Sequence, residues 1–212
     1  MTKDLQIIKK LQSRFKLYYK TSNDKVTYLG LSYKKVKNED LELIGELTSL
    51  EWLYLVHNKI TEMKGLSKLT SLKYLNLSDN QISKIQGLDK LTNLEVLDLA
   101  CNQITEIQGL ENLTNLQELY FANSNITEIK GLNNLNNLQE LYITNNKITE
   151  IKGLDGLNNL RHIDFSWNKI TEIKGLDELN NLRYFGFYGN NIPKSQIDQF
   201  KINNPKIKVD DY

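Results

Sequence analysis

The sequence predicts an α/β solenoid, a curved rod of stacked coils with one parallel β-sheet along its concave side. Three observations predict it: a 22-residue unit recurs in phase, each copy contains a short alternation of leucines, and 40% of the residues are hydrophobic. With 25% charged residues, this is the composition of a folded protein and not of a disordered chain.

The repeat follows the pattern LxxLxxLxLxxNxIxxIxGLxx. Seven copies begin at Leu47, Leu69, Leu91, Leu113, Leu135, Leu157 and Leu179. A degenerate copy in residues 26–36 precedes them, so the chain contains about eight coils. One such unit cannot bury its apolar side alone, and stacking of neighbouring units supplies the common core.

Each LxL core has the period of two expected for a strand with one side inward. Eight strands at about 4.8 Å each predict a parallel sheet about 35 Å long. The asparagine that ends each LxLxxN is expected to turn inward and satisfy backbone groups of its own turn and of the adjacent coil. Ser124 replaces this asparagine in the copy that begins at Leu113, and its shorter hydroxyl should satisfy fewer groups.

Both ends of an open solenoid need a cover. Residues 1–24 are predicted to form an N-terminal helical cap of about four turns, with an apolar stripe of Leu5, Ile8, Leu11, Phe15 and Tyr18. The opposite side is basic, which leaves open a second interpretation as a membrane-surface or partner-binding helix. Residues 25–192 form the repeats and residues 193–212 a C-terminal cap, all within one structural domain.

The repeat also identifies the side chains on the concave face, at positions 3, 5, 7 and 8 of LxxLxLxxN. These 32 positions hold ten of the thirteen Tyr and Trp residues and none of the 27 Lys and Arg residues. Aromatic side chains dominate the energetic centres of protein interfaces, and negative charge attracts a basic partner. The candidate partner-binding residues are Trp52, Tyr54, His57, Tyr74, Asp79, Asp98, Glu118, Tyr120, Glu140, Tyr142, Asp164, Trp167, Tyr184 and Tyr188.

Within this face we expect two aromatic anchors, one around Trp52 and one around Trp167, with the acidic residues mostly between them. Small residues at position 7 would leave a shallow floor between the aromatic rings. An alternative is that Tyr120 and Tyr142, at equivalent positions of adjacent coils, stabilise the sheet and bind nothing.

Catalytic chemistry is not predicted. His57 and His162 lie five coils apart and cannot share a metal, and Cys101 is two coils from His57. The sequence has no phosphate loop or nucleotide-binding glycine motif, so no cofactor, metal or catalytic residue is expected. A net charge of +1 gives no reason to expect nucleic acid or membrane as a partner. One cysteine, no secretion signal and no long apolar stretch lead us to expect a cytoplasmic protein.

The 22-residue LxxLxLxxNxIxxIxGL unit resembles the leucine-rich-repeat class of the regulatory subunit of type-1 protein phosphatase, which bacterial internalins share. The resemblance covers about residues 26–191 and implies a curved leucine-rich-repeat rod that binds partners on its concave sheet. The C-terminal segment resembles the cap of intracellular members, with Pro193, Pro205 and Asp210 near the expected places. Gln199 and Phe200 depart from the usual Tyr-Arg pair. The family's phosphatase contacts do not map residue by residue onto this chain, so phosphatase binding is not carried over.

The sequence therefore predicts a non-catalytic protein–protein interaction module, a regulator or scaffold whose partner is another protein with a basic and apolar contact surface. Two alternatives stay open: a host-directed interaction protein that resembles an internalin, and a self-associating structural solenoid. The sequence predicts neither the identity of the partner nor the oligomeric state.

Overall fold

A computed structural model describes residues 1–210 of the chain as a ten-stranded sheet in which the strands follow one another in sequence order. The first strand is antiparallel to the second, and all later neighbours are parallel. The helices are α1 (Lys3–Gln12), α2 (Asn38–Ile44) and α3 (Lys194–Asn203), and a 3-10 turn spans Lys64–Leu66. The strands are β1 (Tyr18–Ser22), β2 (Lys25–Gly30), β3 (Trp52–Tyr54), β4 (Tyr74–Asn76), β5 (Val96–Asp98), β6 (Glu118–Tyr120), β7 (Glu140–Tyr142), β8 (His162–Asp164), β9 (Tyr184–Gly186) and β10 (Lys208–Asp210).

Strands β2 to β9 belong to the eight coils and pair without a shift of register, so equivalent repeat positions lie side by side. Leu75, for example, pairs with Leu53 on one side and with Leu97 on the other, and all three are fully buried. The residue before the first leucine of each LxL and the residue between the two leucines point to the concave side, as strand alternation requires. The curved solenoid predicted from the sequence is confirmed.

The asparagine ladder is confirmed as well. The Asn80 amide donates to the carbonyl oxygens of Leu77 and Leu55 at 2.9 and 3.0 Å, and its Oδ1 accepts from the Ile60 amide at 3.1 Å. One buried side chain thus joins three backbone groups in two adjacent coils. This arrangement recurs at most other ladder asparagines, because each faces the same closed turn.

Ser124 interrupts the ladder as expected. Its hydroxyl oxygen is buried and has no hydrogen-bond partner within residues 1–210. The amides of Ile82 and Ile126 donate to Asn102 and Asn146, whereas the equivalent amide of Ile104 has no acceptor in the described part of the chain. This coil therefore contains unsatisfied buried groups at a position where its neighbours are fully bonded.

The return segments on the convex side use glycine where two coils approach closely. Gly109 has a φ of 73°, and a Cβ atom there would lie 2.8 Å from the carbonyl oxygen of Ile85 in the preceding coil. Both the left-handed backbone and the narrow space disfavour any side chain. The recurrent glycine therefore sets how closely the convex segments stack.

The N-terminal cap differs in part from the prediction. Helix α1 ends at Gln12, and Tyr18 is not part of its apolar stripe but begins β1, where it is 58% exposed. The reason is hydrogen bonding: β1 pairs with β2 and covers the open edge of the sheet, which a helix cannot do. Ile8 and Leu11 of α1 are buried against the first coil, as expected, and Ile7 joins them.

The exposed basic side of α1 is smaller than the sequence implied. Lys3 bonds to Glu46, while Arg14 bonds to the buried carboxylate of Asp40 at the start of α2. Lys20 lies on β1, with its ammonium 5.5 Å from the centre of the Tyr28 ring. Lys3, Arg14 and Lys20 therefore hold the cap to the rest of the protein.

At the other end, α3 and β10 follow the last coil. Strand β10 adds to β9 in parallel, and the Phe200 ring of α3 lies 5.4 Å from the Phe185 ring of β9. Residues 211 and 212 of the predicted cap lie outside the described residues. No helix in residues 1–210 is long and apolar enough to cross a membrane.

Candidate interaction surface on the concave face

The concave face consists of parallel columns of side chains, because the coil strands pair in register. Position 3 of the motif forms one column and position 5 a second, with positions 7 and 8 at the rim. All fourteen candidate residues lie in these columns, but the structure joins them in groups that the sequence did not show.

Four tyrosines form a continuous group at the N-terminal end of the face, which we call the N-terminal stack. Its members are Tyr18, Tyr28, Tyr54 and Tyr74, and successive ring centres are 5.4, 5.3 and 4.8 Å apart. Trp52 lies beside this stack, with the Lys73 ammonium 5.6 Å from its ring. The predicted anchor around Trp52 is therefore an extended aromatic surface that reaches back to the N-terminal hairpin.

A second group, the C-terminal stack, contains Tyr120, Tyr142, His162 and Tyr184. Successive ring centres are 4.7, 4.7 and 4.0 Å apart, and the two leading tyrosine rings are nearly parallel. His162 was missed as a site residue, although its position 3 in the repeat was the signal that would have included it. Burial lowers its pKa, despite the opposing influence of Glu140 and Asp164.

The carboxylates of the middle coils are bonded to this stack. The Tyr120 hydroxyl donates to Glu118 at 2.7 Å, and the Tyr142 hydroxyl donates to Glu140 at 2.9 Å. Burial and these carboxylates raise the pKa of both tyrosines. The expected separation of aromatic anchors from an acidic middle is thus wrong in detail, because Tyr120 and Tyr142 extend the second aromatic group into the acidic region.

Residues at position 8 form the rim and share a left-handed backbone. Tyr33, His57, Asp79 and Cys101 have φ values of 52 to 60°, and Trp167 has a φ of 59°. Asn123 and Asn145 use the same position in other coils, and Asn tolerates this conformation better than a bulky residue does. Along the rim the Tyr33 ring stacks on His57, and His57 bonds to Asp79.

Trp167 is the most exposed large hydrophobic residue of this rim after Tyr33, at 55%. Its indole lies flat on Gly189, where a Cβ atom would come within 2.7 Å of it, and makes an edge contact with Tyr188 at 4.9 Å. Because position 8 has a left-handed backbone in every coil, the contacts with Gly189 and Tyr188 are what orient this indole. The predicted second anchor therefore consists of Trp167 and Tyr188 at the rim, next to the C-terminal stack.

Basic side chains also lie beside the concave face, at positions other than 3, 5, 7 and 8. Lys73, Arg161 and Arg183 occupy position 2 in three coils, and Lys208 of β10 lies 6.0 Å from the Tyr184 ring. Lys73 pairs with Glu51. Basic residues thus border one edge of an aromatic and acidic surface.

Within residues 1–210, no group of three or more His, Cys, Asp or Glu side chains is placed to hold a metal ion. His57 and His162 belong to separate aromatic contacts at the two ends of the face. The arrangement offers rings, hydroxyls and carboxylates for binding.

Comparisons with known proteins identify the repeat. A family model described as leucine rich repeats (2 copies) matches residues 48–90, 70–112 and 114–156, and a single-repeat model matches residues 156–172. No curated protein sequence matches the chain. Because the family model covers about half of the chain and its copies follow the same 22-residue spacing, this protein belongs to the leucine-rich-repeat family.

Solved structures show the same architecture. Internalin C2 of Listeria monocytogenes is similar with 33% identity and a TM-score of 0.72, over 79% of this chain and 74% of that one. A leucine-rich-repeat protein of Leptospira interrogans has 26% identity and a TM-score of 0.68, over 80% of this chain and 50% of that one. TLR13 in complex with a single-stranded RNA has 26% identity and a TM-score of 0.65, over 79% of this chain and 24% of that one. The resemblance to internalins found in the repeat is confirmed.

Proposed function

We propose that this protein is a non-catalytic interaction module that captures another protein on its concave face, as a regulator or scaffold. The observation that carries the proposal is Trp167, an exposed indole that packs against Gly189 and Tyr188. Rigid, half-exposed aromatic rings lose little conformational entropy when a partner covers them. Nothing in the packing of the coil requires a tryptophan there, since Asn123 and Asn145 serve at the same position.

The chemistry of the face supports a partner protein with apolar and basic groups on its contact surface. The two aromatic stacks supply apolar area, while Asp98, Glu118, Glu140 and Asp164 have no ion-pair partner among the described residues. Negative charge on the face disfavours a nucleic acid or an anionic membrane. The exposed free thiol of Cys101 supports a reducing, cytoplasmic location.

Capture from a native lysate tests the proposal with two immobilised forms of the protein. In the double variant W52V/W167N, each replacement is the residue that another coil uses at the same position, Val96 and Asn123. We expect this variant to keep its fold and to lose the captured protein by at least tenfold. The matched control is Ile202→Asn, which removes an apolar side chain that is 72% exposed on α3, away from the face. Equal capture by the double variant and the control would contradict the proposal.

A purely structural, self-associating solenoid predicts a different result. Light scattering of the pure protein would then show an oligomer that the W52V/W167N variant dissociates. We expect a monomer for both forms at micromolar concentration. Binding of a single-stranded RNA oligonucleotide, by analogy with the TLR13 complex, is a further outcome that would contradict a protein partner.

The similarity to internalin C2 favours one second candidate, an internalin-like protein that is host-directed and acts outside the cell that makes it. Such a protein would bind its partner on the same concave face, but the partner would belong to the host. Detection of the protein in the culture medium of intact cells, with a cytoplasmic marker as control, would favour this candidate over the cytoplasmic one.

A further inference from the structure

The two aromatic stacks are separated by a single coil. Within the eight coils, which all lie in the described residues, only the β5 coil has no aromatic side chain at positions 3, 5, 7 or 8. Its concave residues are Val96, Asp98, Ala100 and Cys101. No ring contact in residues 1–210 joins Tyr74, the last ring of the N-terminal stack, to Tyr120, the first ring of the C-terminal stack.

This interruption forms a slot with aromatic walls. Tyr74, at position 3 of its coil, lies beside Val96, and Tyr120, at position 5, lies beside Asp98, so the two rings flank the β5 coil diagonally. The two flanking strands are separated by two strand spacings, about 10 Å in total. One planar group fits between the rings, because rings of adjacent coils elsewhere on this face are centred 4.7 or 4.8 Å apart in three pairs.

A single carboxylate forms the floor. Asp98 accepts hydrogen bonds from the Asn76 side chain at 2.9 Å and from the Ala100 amide at 3.0 Å, which fix its position. Burial raises the pKa of Asp98, while these donors and Ser78 act in the opposite direction, and no cation contributes. The carboxylate is thus oriented, partly desolvated and without a counter-ion among the described residues.

We propose that the slot between Tyr74 and Tyr120 binds an arginine side chain of the partner protein, with Asp98 as its counter-ion. A guanidinium is planar, stacks on aromatic rings and donates two parallel hydrogen bonds to a carboxylate. A lysine ammonium is compact and more strongly hydrated, and it gains less from stacking between rings. This inference rests on the proposed capture of a protein and specifies which side chain of the partner enters the middle of the face.

A titration with short peptides tests the slot without a known partner. The probes are acetyl-Gly-Arg-Gly-amide and its counterparts with lysine and with citrulline, which has the shape of arginine but no charge. Amide shifts in a ¹⁵N NMR spectrum report binding. We expect the arginine peptide to shift residues of β4, β5 and β6 and to bind at least fivefold more tightly than either counterpart.

Two variants and a control locate the site. Asp98→Asn removes the charge, and Asp98→Tyr fills the slot with the residue that β6 and β7 have at the same position. Both should weaken the arginine peptide at least fivefold. Asp89→Asn removes one negative charge from the exposed segment between β4 and β5, outside the concave face, and should change the affinity less than twofold.

Equal binding of the arginine and lysine peptides would overturn the inference. An equal effect of Asp89→Asn and Asp98→Asn would also overturn it, because both results indicate general charge attraction. Unchanged binding by Asp98→Tyr would also overturn it. The lysate capture distinguishes failure of this inference from failure of the proposed function. If the Asp98 variants still capture the partner and W52V/W167N does not, only the arginine slot is refuted. If W52V/W167N still captures the partner, the proposed function is refuted.

Discussion

At the scale of the residue, the most informative position is Ser124, where the chain departs from its own repeat. Every coil that has asparagine at this position closes its turn with several backbone hydrogen bonds. An unsatisfied buried polar group costs about 1–3 kcal/mol, so this coil is less stable than its neighbours.

Ser124→Asn should therefore stabilise the protein by about 1–2 kcal/mol. The oxygen of the new side chain is expected to accept from the Ile104 amide, and its nitrogen to donate to carbonyl oxygens of its own coil and of the preceding coil, as in Asn102 and Asn146. Urea unfolding of both forms measures the difference. Ser124→Ala is the control and should leave the stability within about 1 kcal/mol of wild type, since the serine hydroxyl makes no bond. A destabilised asparagine variant would show that the backbone of this coil has a different geometry.

Asp98 provides a second test at this scale, through the pH dependence of stability. Burial raises the pKa of Asp98 in the folded state above its ordinary value near 3.8, so the folded protein binds this proton more tightly than the unfolded chain. The ionised carboxylate therefore opposes folding once the pH exceeds its folded pKa, and this cost disappears below the unfolded pKa.

Asp98→Asn should accordingly have a thermal midpoint at pH 7 equal to or above that of wild type, with the difference shrinking as the pH falls to about 3. Calorimetry at several pH values measures it, with Asp164→Asn, at the same repeat position in β8, as a reference. A midpoint well below wild type at pH 7 would mean that the carboxylate is needed for folding and is not reserved for a ligand.

At the scale of the element, the N-terminal cap depends on a few polar contacts in addition to the apolar side of α1. The Asp40 side chain is fully buried and bonds to Arg14 and to the Lys37 amide. Glu46 bonds to Lys3 of α1 and to Lys68 of the next coil, and these two ammonium groups lower the pKa of Glu46 to about 2. The cap is thus tied to the first two coils at both of its ends.

Arg14→Ala should destabilise the protein by about 2 kcal/mol, because it leaves the buried Asp40 carboxylate without its cation. The loss stays below the value of about 3–5 kcal/mol for a fully buried pair, since water reaches the half-exposed guanidinium. Lys10→Ala, on the exposed side of α1, is the control and should change the stability by less than about 0.5 kcal/mol. Urea midpoints and hydrogen exchange of the α1 amides measure both. Equal effects of the two variants would mean that the ion pair does not hold the cap.

At the scale of the whole molecule, the core is one continuous column of buried leucine, isoleucine and phenylalanine from α1 to the last coil. Each coil contacts mainly its neighbours, so the stability is close to a sum of nearest-neighbour terms. When the coupling between coils is strong, a substitution that destabilises a central coil lowers the stability of both ends of the rod as well.

Leu97→Ala, in the central strand β5, should lower the free energy of unfolding by about 3 kcal/mol, because the side chain is fully buried and leaves a cavity. Trp52 and Trp167 lie on either side of this coil. In variants that keep only one of these two tryptophans, its fluorescence reports the unfolding of one half of the rod. We expect both fluorescence transitions to shift together and to coincide. Two separate transitions would show that the rod unfolds in independent halves.

The sequence determined the solenoid, the positions of its buried leucines, the asparagine ladder with its gap at Ser124, and the set of residues on the concave face. The reason is that a strict 22-residue period fixes the register of every strand, and strand alternation then assigns each residue to one side. The same rule places His162 on the concave face, since it occupies position 3 of its coil.

Only the tertiary structure decided how the aromatic residues group. Tyr18 joins the N-terminal stack because β1 folds back on β2, outside the repeat, where no period predicts its place. The hydroxyls of Tyr120 and Tyr142 reach their own strands' glutamates, so acidic and aromatic residues share one region. The slot above Asp98 exists because rings from two other coils stand on either side of it, a relation that depends on contacts between side chains and not on their spacing along the chain.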